Sequence, residues 1–214
     1  MDGIKRQGDI MKEQILADNR PWVDVKITVV GDGDMLGKDG GITVPIKYET
    51  TNHGGTPALG VWLHTELVLF TPGFDFDTEQ SKLCQMGQKD PPVYAFGGHD
   101  LFPKRDFKMI VTHVINKSGV EKSLQVYENL TGNPIDIINL FIIGCVTYRY
   151  TFDHTIHTTP ILGRLRKKNT NISIDDVPTL DFDSRLNLRT KAGPIPLNTI
   201  FVTPEITMRG MRAD

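Results

Sequence analysis

Cysteine is scarce in this chain: Cys84 and Cys145 are the only two among 214 residues. They have no CxxC spacing and are too few for a disulfide scaffold. One bridge between them stays open and would favour an oxidising compartment. The sequence reading is two buried free thiols, because unpaired cysteine behaves as a small hydrophobe. An excess of either charge is also lacking, with 24 Lys and Arg against 26 Asp and Glu. That balance gives no electrostatic case for nucleic-acid binding. No run approaches the roughly 18 apolar residues of a membrane helix, and no secretory leader is visible. As given, the chain reads as soluble. GxSxG, HExxH, P-loop and dinucleotide fingerprints are all missing, and no cofactor is implied. There is no internal repeat and no low-complexity tract.

What is present is alternation. Leu140 to Leu165 is the longest apolar-rich stretch and reads as two strands joined by a tight turn. Leu140, Ile142, Val146, Tyr148, Tyr150 and Phe152 fall on one face with Gly144, because successive strand side chains point to opposite sides. Phe141, Ile143, Cys145, Thr147, Arg149, Thr151 and Asp153 fall on the other. That face starts apolar and turns polar, which predicts a central strand wet on one side near its end. Asp153-His154-Thr155 is the turn. Ile156 to Leu165 returns, and Pro160, lacking an N–H, predicts an edge or a bulge there.

Upstream, residues 3–18 read as an amphipathic helix, ended by Asn19-Arg20-Pro21. Trp22 to Val30 alternates with Val23, Val25, Ile27 and Val29 inward. GDGD at 31–34 and KDGG at 38–41 are turn chemistry, favoured over a calcium site at Asp32, Asp34 and Asp39 because no EF-hand spacing is present. Ile42, Val44, Ile46 and Tyr48 alternate, with Pro45 outward on a side that is not fully laddered. Residues 51–57 read as a loop. Leu59, Val61, Leu63, Leu67 and Leu69 define a long strand whose other face carries Trp62, His64 and Glu66. Residues 77–89 are the one internal helix candidate, Phe107 to Ile115 a strand, and Ser123 to Tyr127 a short strand. After Leu165 the apolar residues thin out. The expected organisation is an N-terminal helix or connector over 1–20, a β domain over 21–166, and a C-terminal arm over 167–214 held by Ile195, Leu197, Ile200 and Val202.

About seven strands with turn-punctuated spacing and few helices predict a mainly β protein, an antiparallel immunoglobulin-like β-sandwich. The antibody type is excluded: the strand from Ile42 to Thr50 has no cysteine, and Ile143 stands where the two-before-cysteine tyrosine would be.

Several segments together carry a resemblance. They are Arg20-Pro21-Trp22-Val23, then Tyr48-Glu49-Thr50-Thr51-Asn52-His53-Gly54-Gly55-Thr56-Pro57-Ala58, then Leu101-Phe102-Pro103, Ile143-Gly144-Cys145-Val146-Thr147-Tyr148 and Gly193-Pro194-Ile195-Pro196. The chain resembles a group of uncharacterised bacterial proteins. Those carry an N-terminal membrane segment, absent here, followed by an immunoglobulin-like domain. The resemblance implies that fold and a membrane-proximal setting, and implies no activity.

The candidate sites are few. Asp153, His154 and His157 form the densest set of metal-ligand types, and a turn between the histidines would let them converge on one ion. The competing reading is a polar hairpin tip. His64 and Glu66 share a strand face and would need His53 or His113 nearby to do acid–base work; an ordinary surface pair competes. Arg164, Arg166, Lys167 and Lys168 make a basic run that either protects a strand edge or touches an anionic membrane surface, at about 1 kcal/mol per charge. The expected function is a non-catalytic, membrane-proximal binding module contacting a protein partner through end loops, with Asn52, His53, His154, Trp62 and His64 at the contact. The alternatives are a metal-dependent hydrolase built on Asp153, His154 and His157, and a structural or assembly subunit.

Overall fold

The strands follow the alternation. In the computed structural model, which describes residues 6–7, 10–11, 20–89, 97–132, 137–150, 155–167, 186–187 and 195–204, β1 (Val23–Val29) pairs antiparallel with β2 (Ile42–Asn52). β2 pairs on its other side with β5 (Asp106–Ile115), so β2 is the middle of a three-stranded sheet. Ile42, Val44, Ile46, Tyr48, Thr50 and Asn52 are all buried along one face of β2. Pro45 sits where the β1 ladder stops: Val30 N donates to the Pro45 carbonyl at 3.0 Å, and the missing proline N–H would have faced Val30.

The second sheet is also antiparallel. β3 (Ala58–Phe70) lies between β4 (Gly97–Leu101) and β6 (Ile137–Tyr150). β7 (Ile156–Lys167) follows β6, and β9 (Ile200–Pro204) follows β7. A short β8 (Leu186–Asn187) pairs with the start of β6. β9 covers only Gly163 to Lys167 of β7, so Pro160 lies in the half whose one described ladder partner is β6. One cluster joins the sheets: Tyr48, Ile46 and Val44 from the first meet Val61, Leu67, Leu140, Ile142 and Val146 from the second.

The outer face of the larger sheet is covered by α1 (Phe76–Lys89). Phe76 stacks on Phe70 and meets Phe141 edge-on at 4.8 Å. Gln80 Nε2 donates to the carbonyls of Gly144 and Ile161 at 3.3 and 2.8 Å. This lid explains why Ile143, Cys145 and Thr147 are buried while Arg149, beyond it, is exposed.

Three expectations are corrected. Cys84 and Cys145 are not free thiols but a disulfide, with Cα atoms 5.2 Å apart, because α1 lies along β6. The stretch Ser123 to Tyr127 is not a strand but the middle of α2 (Lys117–Thr131). Asn116 caps that helix by accepting from Gly119 N at 2.8 Å, and Val120 and Leu124, one turn apart, enter the core. On β3, a bulge at Gly60 (φ +55°) shifts the phase, so Ala58 rather than Leu59 is buried with Val61.

Of the N-terminal stretch, residues 6, 7, 10 and 11 are helical, and the remainder of 3–18 lies outside the described residues. In the C-terminal part, Ile195, Leu197 and Ile200 are buried and Val202 packs against the core. That segment joins the sheet as an edge strand and bridges to Asp34 through Pro196.

Candidate functional site

One end of the domain is built around Asn52. Its Oδ1 accepts from Trp22 N at 3.2 Å and Gly54 N at 2.9 Å. Its Nδ2 donates to the carbonyls of Thr56 at 2.8 Å and Leu101 at 2.9 Å. Its backbone N–H donates to Arg105 O, and its carbonyl accepts from Lys104 N. Asn52 is fully buried. Every donor and both side-chain acceptor directions are taken by the fold, so the partner contact expected of this residue passes to the residues it positions.

The loop motif thereby acquires a mechanical meaning. A Cβ at Gly54 would collide with the Arg20 carbonyl and come within 2.6 Å of Pro21 Cα. Glycine is therefore what lets residues 20–22 lie against the loop. Trp22 O accepts from His53 N at 2.8 Å, and the Pro21 carbonyl accepts from Tyr148 Oη at 3.4 Å. The backbone of this end is held from several sides.

Held this way, two aromatic side chains face outward: Trp22 is 61% exposed and Phe102, next to the Asn52-bonded Leu101, is 58% exposed. The Arg20 guanidinium sits over the Trp22 ring at 5.8 Å. His53 is exposed, 3.9 Å from the Asp24 carboxylate. Both lie in segments that carry the sequence resemblance, but neither was read as a contact residue. The signal for Trp22 was present, since a strand with Val23, Val25 and Ile27 inward points Trp22 outward.

The other candidates lie elsewhere. Trp62 is half-buried, its ring laid on Gly98, where a Cβ would come within 2.8 Å of it. His64 is buried on the α1 side of β3, opposite Cys145. Its Nε2 has no hydrogen-bond partner, and burial lowers its pKa. His113 lies in the other sheet, bonded to Tyr48, and His53 lies at the Asn52 end. The convergence expected around His64 and Glu66 therefore does not form, and Glu66 is exposed. His99 lies tilted against Phe107 with ring centroids 3.8 Å apart, and burial outweighs the neighbouring Asp100 in lowering its pKa.

Asp153 and His154 lie outside the described residues. His157 stacks against Tyr148 at 5.7 Å, meets Tyr150 edge-on, and shares a hydrogen bond with Thr155. Among the described residues, no three of His, Cys, Asp or Glu group as a metal site. Of the basic run, Arg164 donates to Asn139 and lies over Phe141, and Arg166 donates to Thr203. The Lys167 backbone pairs with Ile200, and Lys168 is outside the described residues. Among the described residues, no helix is long and apolar enough to cross a membrane.

No protein-family model, curated protein or solved structure matches this chain. The class these observations define is a mainly β domain of two antiparallel sheets, with one disulfide tying α1 to β6 of the larger sheet and exposed aromatics at the Asn52 end.

Proposed function

We propose that the two sheets form an immunoglobulin-like β-sandwich serving as a non-catalytic interaction module, and that the Asn52 end is its contact surface. The observation behind this reading is the pairing of a fully bonded Asn52 with the exposed Trp22 and Phe102. Rigid, exposed aromatics lose little entropy on binding and recur as energetic centres of interfaces. Arg20 and His53 supply a polar rim. The partner is a protein surface with an apolar recess for the two rings. The disulfide favours an oxidising compartment, and the domain sits beside a membrane, as its resemblance implies.

The test is site-specific photocrosslinking in the native host, with the crosslinker at position 53 or at position 110, on the outer face of the three-stranded sheet away from the Asn52 end. A partner captured from 53, not from 110, and lost in Trp22→Ala/Phe102→Ala is the expected result. Equal capture from both positions, or capture indifferent to the double variant, would overturn the assignment. A stoichiometric zinc lost in His157→Ala would instead favour the hydrolase alternative.

A further inference from the structure

We infer that the Cys84–Cys145 disulfide is an exchangeable latch on the C-terminal turn of α1, closing over two unpartnered polar groups, His64 Nε2 and Thr147 Oγ1. The inference concerns the outer face of the larger sheet and does not depend on the Asn52 end.

The geometry runs along the helix. Phe76 meets Phe141 and Cys84 is bonded to Cys145. Eight helical residues rise about 12 Å, and four strand residues about 13 Å, so α1 runs alongside β6. The turn after Cys84 therefore lies over the next outward position of β6, Thr147. Trp62 stands opposite Thr147 and His64 opposite Cys145 across the β3–β6 ladder, so His64 and Thr147 are diagonal neighbours on this face.

The two halves of α1 are held differently. The first half has the Phe76 ring contacts, the two Gln80 hydrogen bonds and buried Leu83. After Cys84, Gln85 is exposed and Met86 is 53% exposed. Beneath this half lie two buried polar atoms with no hydrogen-bond partner. Burying them without a partner is unfavourable, and opening to water would satisfy both. Among the described side chains of this half, the covalent bond is what opposes that opening.

The exchange needs a dithiol reductant. One of its thiolates attacks Cys84 Sγ, the more accessible sulfur, since Cys84 is half-buried and Cys145 fully buried. The Cys84–Cys145 bond breaks, Cys145 leaves as a thiolate, and a mixed disulfide forms on Cys84. The reductant's second thiolate then displaces Cys84. The dithiol ends as its own disulfide, and its two protons end on Cys84 and Cys145.

The test is hydrogen exchange by mass spectrometry on the full chain, oxidised and after dithiothreitol at neutral pH without denaturant. A parallel measurement follows modification of His64 by diethyl pyrocarbonate. The expected result is about tenfold or faster exchange over 84–89, unchanged protection over 76–80 and in β6, and His64 modified only after reduction. Cys84→Ser/Cys145→Ser should reproduce the reduced pattern. Three outcomes would overturn the latch: unchanged exchange over 84–89, loss of protection across both sheets together, or a bridge that dithiothreitol reduces only in denaturant.

Discussion

Tyr48 Oη and His113 Nε2 stand 2.8 Å apart in the interior, tying the middle strand of the three-stranded sheet to its edge strand β5. Burial pushes the His113 imidazole down to about 4 and the Tyr48 phenol well above its ordinary value. Above pH 6.5 the imidazole is neutral whether the chain is folded or not. Between 6.5 and 4 the unfolded chain takes up a proton that the folded one refuses, so stability falls by up to about 3 kcal/mol. Tyr48 acts at the other end: stability present below pH 10 is lost above it. Urea midpoints measured from pH 7 to 4 should drop for the parent chain and drop less for His113→Gln. Identical slopes would remove His113 as the cause.

Replacing Asn52 by alanine strands four backbone groups, the N–H of Trp22 and Gly54 and the carbonyls of Thr56 and Leu101. Unpaired buried groups are expensive, and the summed loss should be about 4 kcal/mol. Asn52→Asp should not restore it, because a carboxylate cannot donate to the two carbonyls. Denaturant unfolding reads the effect, and a loss under about 1 kcal/mol would mean the network relaxes onto water.

Gly144 marks a close approach of β6 to β3. A Cβ there would strike the His64 carbonyl and lie 2.9 Å from Thr65 Cα, whereas a Cβ at Gly33 would meet nothing within 4 Å. Gly144→Ala should therefore destabilise by roughly 2 kcal/mol, with Gly33→Ala within about 0.5 kcal/mol of the parent. Thermal melts of the two variants side by side decide it; equal melting temperatures would contradict the close approach.

Asn116 holds the start of α2 through Gly119 N. Asn116→Ala should lower stability by about 1 kcal/mol, and Asn116→Asp or Asn116→Ser should recover most of it. If Asp and Ser behave like Ala in the same unfolding experiment, the cap contributes nothing.

The strands β1, β2, β5, β6 and β7 were legible because period-two alternation is a property of neighbouring residues. Pro45 and Pro160 announced broken ladders for the same local reason: neither has an N–H to give. The helix α1 was legible over 77–89, although the side chain that caps its start, accepting from Thr78 N, is that of Asp75, just before the expected range. α2 did not, because its packed residues Val120 and Leu124 stand among Lys, Glu, Ser and Gln, and a short window over them resembles a strand.

At the Asn52 end, the sequence reading put Asn52 itself at a contact, and the structure buries it. Asn52-His53-Gly54 looked like an exposed tip. Its asparagine is buried because Trp22, Thr56 and Leu101, up to 49 residues away, bring it their donors and acceptors. Composition and alternation by themselves determined the mainly β class, the positions of β1, β2, β5, β6 and β7 and the turns within 31–41, since these depend on side-chain period and backbone preference within a few residues. Tertiary structure alone decided the order of strands in the two sheets, the burial of His64 and the Cys84–Cys145 bond across 61 residues. Each of these depends on which distant segments share hydrogen bonds and apolar contact, a choice made by the whole chain in folding.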